Sequence, residues 1–98
     1  MEDLEALRTA IRNLHGVDST WIESVPVHET FQGETVWQGE VQVFDLTNHP
    51  KAKRAYAWSY ATEGTKRRYM AVLELGPVKD AATAVRVAIA ADAKRGAP

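Results

Sequence analysis

Arg54–Ala61 reads RAYAWSYA, with an aromatic residue at every second position: Tyr56, Trp58 and Tyr60. A period of two is that of a β-strand, whose successive side chains point to opposite faces of a sheet. The intervening positions are Ala55, Ala57, Ser59 and Ala61, so one face of this strand is bulky and the other small. A sheet covered by helices needs bulk on its covered side. The alternation therefore predicts a core strand with its aromatics turned inward and its small residues on an open face. The competing reading is an exposed stacking platform for nucleic-acid bases, flanked by phosphate-binding cations.

Hydrophobic periodicity places the remaining elements. Glu2–His15 carries Leu4, Leu7, Ile11 and Leu14 on one helical face, with Glu2, Asp3 and Glu5 in the first turn and Gly16 as the stop. From Trp21 the period is two. Val25, Val27 and Phe31 alternate with Pro26, His28 and Thr30, and Pro26 marks an edge strand. Gln32-Gly33-Glu34 reads as a hairpin turn, and Thr35–Leu46 as a second strand. Trp37, Val41 and Val43 share one of its faces, opposite Gln38, Glu40 and Gln42. Phe44 and Leu46 break that parity, which predicts a bulge or bend near Gly39.

Thr47-Asn48-His49-Pro50 is a turn cluster ahead of the aromatic strand, and residues 62–65 form the turn after it. Arg67–Leu75 is the fourth strand, with Tyr69, Ala71, Leu73 and Leu75 on one face, and Gly76-Pro77 ends it. Asp80 is an N-cap for a closing helix to Arg95, where Lys94, Arg95 and Gly96 are stop signals. Ala81, Ala84, Val85, Ala88 and Ile89 lie on one face of that helix, and its alanines imply a close approach to the sheet. The fold class expected is α+β in the order α-β-β-β-β-α. Its architecture is a two-layer sandwich: a four-stranded antiparallel meander with both helices packed on one face, in a single domain over residues 1–98.

The chain has 98 residues, 45% hydrophobic and 26% charged, a globular composition. It has no cysteine, which excludes disulfides, thiolate metal sites and cysteine nucleophiles. No signal pattern opens it and no apolar run reaches membrane-spanning length, so a cytoplasmic protein without membrane association is expected. Charge is unevenly divided. Residues 1–50 hold two cations against nine carboxylates, and residues 51–98 hold ten cations against four. Charge sorted in this way bears on association.

No constellation for catalysis stands out. His15, His28 and His49 form no metal-ligand spacing, the serines lack a nucleophile-elbow context, and the glycines form no phosphate-cradling loop. No enzymatic activity, metal or cofactor is expected. Two basic clusters are candidate phosphate contacts: Lys51, Lys53 and Arg54 before the third strand, and Lys66, Arg67 and Arg68 before the fourth. In a meander they fall at opposite ends of the third strand, roughly 25 Å apart for eight residues. The face opposite the aromatic stripe would show Gln38, Glu40, Gln42, Met70 and Val72. Such a flat mix of polar and flexible apolar groups can pair with a second copy or another protein.

ETFQGETVWQGEVQVF (Glu29–Phe44), followed by HPKAKRAYAWSY (His49–Tyr60), resembles segments of short bacterial proteins of unassigned function. The resemblance covers about a third of the chain and implies no activity, ligand or site. The element order is similar to the α-β-β-β-α of double-stranded-RNA-binding domains. This chain adds a strand, however, and opens its last helix with Lys79 alone where that family has several lysines. That function does not carry over.

The function expected is that of a small non-enzymatic interaction module, binding another protein or itself through Gln38, Glu40, Gln42, Met70 and Val72 and the charged loops. The alternative is nucleic-acid binding through Lys51, Lys53, Arg54, Lys66, Arg67 and Arg68.

Overall fold

A computed structural model describes residues 4–61 and 64–96, with side chains placed through residue 91. The expected positions of Glu2 and Asp3, the turn residues Thr62 and Glu63, and the side chains of Lys94 and Arg95 lie outside the described residues. Six elements follow in order: α1 (Leu4–His15), β1 (Asp18–Phe31), β2 (Glu34–Thr47), β3 (Arg54–Ala61), β4 (Arg67–Leu73) and α2 (Ala81–Gly96). The four strands pair antiparallel in sequence order. This is the α+β meander that the periodicity predicts, with the Pro26 strand at an edge. No described helix is long and apolar enough to cross a membrane.

Local chemistry accounts for the joints. Gln32 and Gly33 both have positive φ, 53° and 82°. Their backbone twist is the one that matches a two-residue hairpin between right-twisted strands. At the start of α2 the Asp80 carboxylate accepts the Thr83 N–H at 2.9 Å, and the Thr83 hydroxyl oxygen accepts the Asp80 N–H at 3.0 Å. This reciprocal cap satisfies two backbone donors at once. The Thr83 N–H and then its hydroxyl hold the Asp80 carboxyl below its ordinary range. A depressed folded-state pKa gives support that is present above the ordinary carboxylate pKa and is lost as pH falls through the lower one.

The layers correct the two-layer expectation. Both helices were expected on one face of the sheet, but they lie on opposite faces. α1 buries Leu7 and Ile11 against Phe44, Ala55 and Ala57, with Leu46, Ala71 and Leu73 around them. α2 buries Ala81, Ala84, Val85 and Ala88 against Val27, Val41, Val43, Tyr56 and Trp58. Register fixes the two sides, because directly opposed residues of an antiparallel pair share a face. Phe44↔Ala55 and Ala55↔Leu73 define the α1 side, and Val43↔Tyr56 and Tyr56↔Val72 the α2 side.

The aromatics Tyr56 and Trp58 are buried as expected, but the small face beside them is not open. Ala55 and Ala57 are 0% exposed. Short side chains let a helix approach a sheet closely, so the alanine face is the seat of α1. Phe44 and Leu46 need no bulge near Gly39: they follow strict alternation onto the α1 side and belong to the second core. The register shifts fall elsewhere, leaving Ile22 unopposed in β1 and Val36 in β2. Leu14 stands exposed. The last turn of α1 is tied down instead by the His15 Nε2–H, which donates to the Ala71 carbonyl at 2.9 Å.

At the edge of the α2 core the Tyr56 hydroxyl donates to Glu74 Oε2 at 2.5 Å. Burial, followed by this bond and the Glu74 charge, raises the Tyr56 pKa well above its usual value. In the unfolded chain the phenol ionises near pH 10, while in the fold it keeps its proton. Stability from this group is therefore full below about pH 10 and falls as pH rises further. Chemical denaturation of wild type and Tyr56→Phe at alkaline pH should show a steeper loss in the wild type. Parallel slopes for the two proteins would remove the assignment.

Candidate binding cleft at the parting of two strands

β1 and β2 pair along nearly their whole length, from Asp18↔Thr47 to Phe31↔Glu34. β2 and β3 pair only from Asp45↔Arg54 to Gln42↔Ala57. Beyond that point the strands part: β2 stays with β1, and β3 continues with β4 as far as Ala61↔Arg67. The Leu46 N–H donates to the Lys53 carbonyl at 2.8 Å. Even-numbered residues of β2 therefore direct their backbone groups toward β3, since these directions alternate along a strand. Glu40 and Gln38 continue that series, and no β3 residue is in register with either.

α2 roofs the gap. The resulting cleft has a volume of about 300 Å³ and is lined by Val36, Trp37, Trp58, Tyr60, Met70, Val85, Ala88 and Ile89. A second hollow of about 480 Å³ shares Val36 and Ile89 and extends to Phe31, Glu29 and Arg86. Together they make one apolar groove from the sheet's interior to the hairpin tip, where Phe31 is 67% exposed and Val36 48%. At the rim Arg86 Nε donates to Glu29 Oε1 at 2.6 Å, fastening α2 to β1. This bond and the Glu29 charge raise the Arg86 pKa above its already high ordinary value.

The cleft has an aromatic floor. The Trp37 and Trp58 rings lie 6.0 Å apart between centroids and are tilted by 58°, within the range that ring quadrupoles favour. Trp37 reaches that position by lying over Gly39, where an added Cβ would stand 3.0 Å from both Cη2 and Cζ2 of the indole. Glycine in this strand interior thus makes room for a ring. Gly39→Ala should displace Trp37 and weaken the exciton couplet of the tryptophan pair in circular dichroism while the protein stays folded. An unchanged couplet would show that the ring does not depend on Gly39.

The expected partner-binding residues are dispersed. Gln38 and Glu40 are exposed on the sheet side away from α2. Gln42 is only 2% exposed, and its Oε1 accepts both Trp21 Nε1–H at 2.8 Å and Ser24 Oγ–H at 2.6 Å. Its polar groups serve the fold. Met70 and Val72 are turned to the α2 side, packed against the core that holds Trp58 and Tyr56. Apolar residues of both parities in β4 reflect a strand covered on both faces, which corrects their placement on an open one.

The basic clusters sit at opposite ends of β3, as the meander requires. Arg54 Nε lies 3.2 Å from Asp45 Oδ1, and the loop holding Lys51 and Lys53 is organised by His49. His49 Nδ1 accepts the backbone N–H of Lys51 at 3.1 Å and of Ala52 at 2.8 Å. At the far end Arg67 donates to Ser59 Oγ from Nε at 3.2 Å and Nη2 at 2.9 Å, beside Lys66 and Arg68. The remaining histidine, His28, bonds Thr35 Oγ1 through Nε2 at 2.7 Å.

Sequence reasoning missed Val36, Tyr60 and Ile89 as cleft walls. The available signal was Gly39 two residues after Trp37 on one strand face, since a glycine there leaves a hollow that the indole fills. Comparison with protein-family models, curated proteins and solved structures found no match.

Proposed function

We propose that this chain is a small interaction module that takes an apolar part of another protein into the Trp37–Trp58 cleft. The observation that carries this reading is the early end of the β2–β3 ladder at Gln42↔Ala57, which leaves an aromatic-floored groove between two strands and a helix. A continuous sheet would have closed it. Concave, mostly apolar sites with a few polar groups at the rim are where proteins bind ligands and peptides. The surface differs from the open sheet face expected from the sequence. The class of function is the same.

The test is selection of displayed random peptides on the wild-type protein, followed by binding to Val36→Asp and Ile89→Glu. Both positions line the cleft outside the fully buried core, so the variants retain the fold. Enriched peptides should bind each variant about tenfold more weakly or worse, a loss of about 1.4 kcal/mol. Peptides that bind the variants as well as wild type, or no enrichment at all, would defeat the proposal. Oligonucleotide binding that falls steeply with salt and is lost on reversing Lys51, Lys53 and Arg54 to glutamate would support the nucleic-acid alternative instead.

A further inference from the structure

We infer that the cleft's occupant is an extended segment of another protein that adds a strand along the free edge of β2, an inference that rests on the cleft reading above. Glu40 and Gln38 aim their backbone N–H and C=O groups into the gap left by β3, where no β3 residue is in register. Backbone groups at a sheet edge are a template for another strand. Strand addition would supply these donors and acceptors with partners, whereas a helix laid in the groove would leave them to water.

The outer edge of β1 provides a contrast. Pro26 has no N–H to offer there, and the register shift at Ile22 bends the strand. Both features blunt an edge against pairing. β2 from Trp37 to Val41 has no proline, lysine or register shift.

Parity sets the chemistry of the segment. A strand beside Gln38 and Glu40 turns alternate side chains toward α2, into the space between Trp37, Trp58, Tyr60 and Met70. The others face the polar side with His28, Gln38 and Glu40. The segment is therefore extended, apolar at every second position and polar between. Val36–Val41 accommodates about six residues at roughly 3.3 Å each. At the end of the cleft beside Ala61, Lys66 precedes β4 and Arg67 and Arg68 open it, a cationic stretch that complements an acidic residue in the segment.

The test uses peptides enriched by display on the full chain, with amide hydrogen exchange followed by NMR. Binding should slow exchange at Gln38 and Glu40. It should leave Trp37, Gly39 and Val41, whose amides point to β1, unchanged. N-methylation of the peptide at alternate residues should abolish binding in one register and spare it in the other, since only one set of amides meets the edge. Peptides that need Val36 and Ile89 yet leave Gln38 and Glu40 unprotected would overturn strand addition while the cleft reading stands. Failure to enrich any peptide would defeat both. Protection of the same amides that rises with protein concentration alone would assign the edge to a second copy and contradict the inference.

Discussion

Phe44→Ala is expected to lower the unfolding free energy by about 3–5 kcal/mol in denaturant titration, the range for deleting a fully buried aromatic side chain. Phe44 is 0% exposed and is seated among Leu7, Ile11, Ala55 and Ala57. Those neighbours belong to a helix and a strand fixed by other contacts, so the space left by the ring collapses only in part. Against a typical total of 5–15 kcal/mol, this loss leaves the variant near the limit of folding at ordinary temperature. Phe44→Leu keeps most of the volume and should cost much less. If α1 did not cover this face, Phe44 would be a surface residue and its removal would cost within about 0.5 kcal/mol.

Trp58→Ala should carry a penalty of the same order, about 3–5 kcal/mol, from the opposite core. Trp58 is 2% exposed, within the core that includes Val41, Val43, Tyr56, Val85 and Ala88. The substitution also removes the ring that stands 6.0 Å from Trp37. Trp58→Phe separates the two effects: most of the stability should return, while the tryptophan couplet in circular dichroism should not. A fully destabilised Trp58→Phe, or a couplet surviving in either variant, would contradict the packing described for the cleft floor.

The strands, turns and helix caps were legible because each rests on local chemistry. Period-two alternation places Arg54–Ala61 in a strand whatever covers it, and Asp80 with Thr83 caps a helix wherever that helix packs. The layer arrangement is not local, and residue size on one strand does not determine it. The Ala55–Ala57–Ser59–Ala61 side lacks bulk, which suggested an uncovered face; in the fold that lack of bulk is what admits α1. Phe44 and Leu46 held the corrective signal, since apolar residues of the opposite parity mark a strand covered on both sides. Met70 and Val72 against Ala71 and Leu73 repeat it in β4.

The cleft was less legible still. It depends on where the β2–β3 ladder stops, and register is set by the twist and bulging of the long hairpin, with Ile22 and Val36 unopposed. The composition of Thr35–Val41 alone does not reveal that its edge goes unpaired. In the sequence Gln38 and Glu40 stand out for their polar side chains on one strand face, whereas in the fold it is their backbone groups that reach toward the gap.

Three-layer packing positions everything else: α1 on the alanine face leaves α2 free to roof the gap between β2 and β3. The most direct test is a methyl- and aromatic-resolved nuclear Overhauser spectrum of the folded protein. Cross-peaks should join Leu7 and Ile11 methyls to Ala55 and Ala57, and Val85 and Ala88 methyls to the Tyr56 and Trp58 rings. Cross-peaks from Leu7 or Ile11 to the rings of Tyr56 and Trp58 would place both helices on one face and contradict the account.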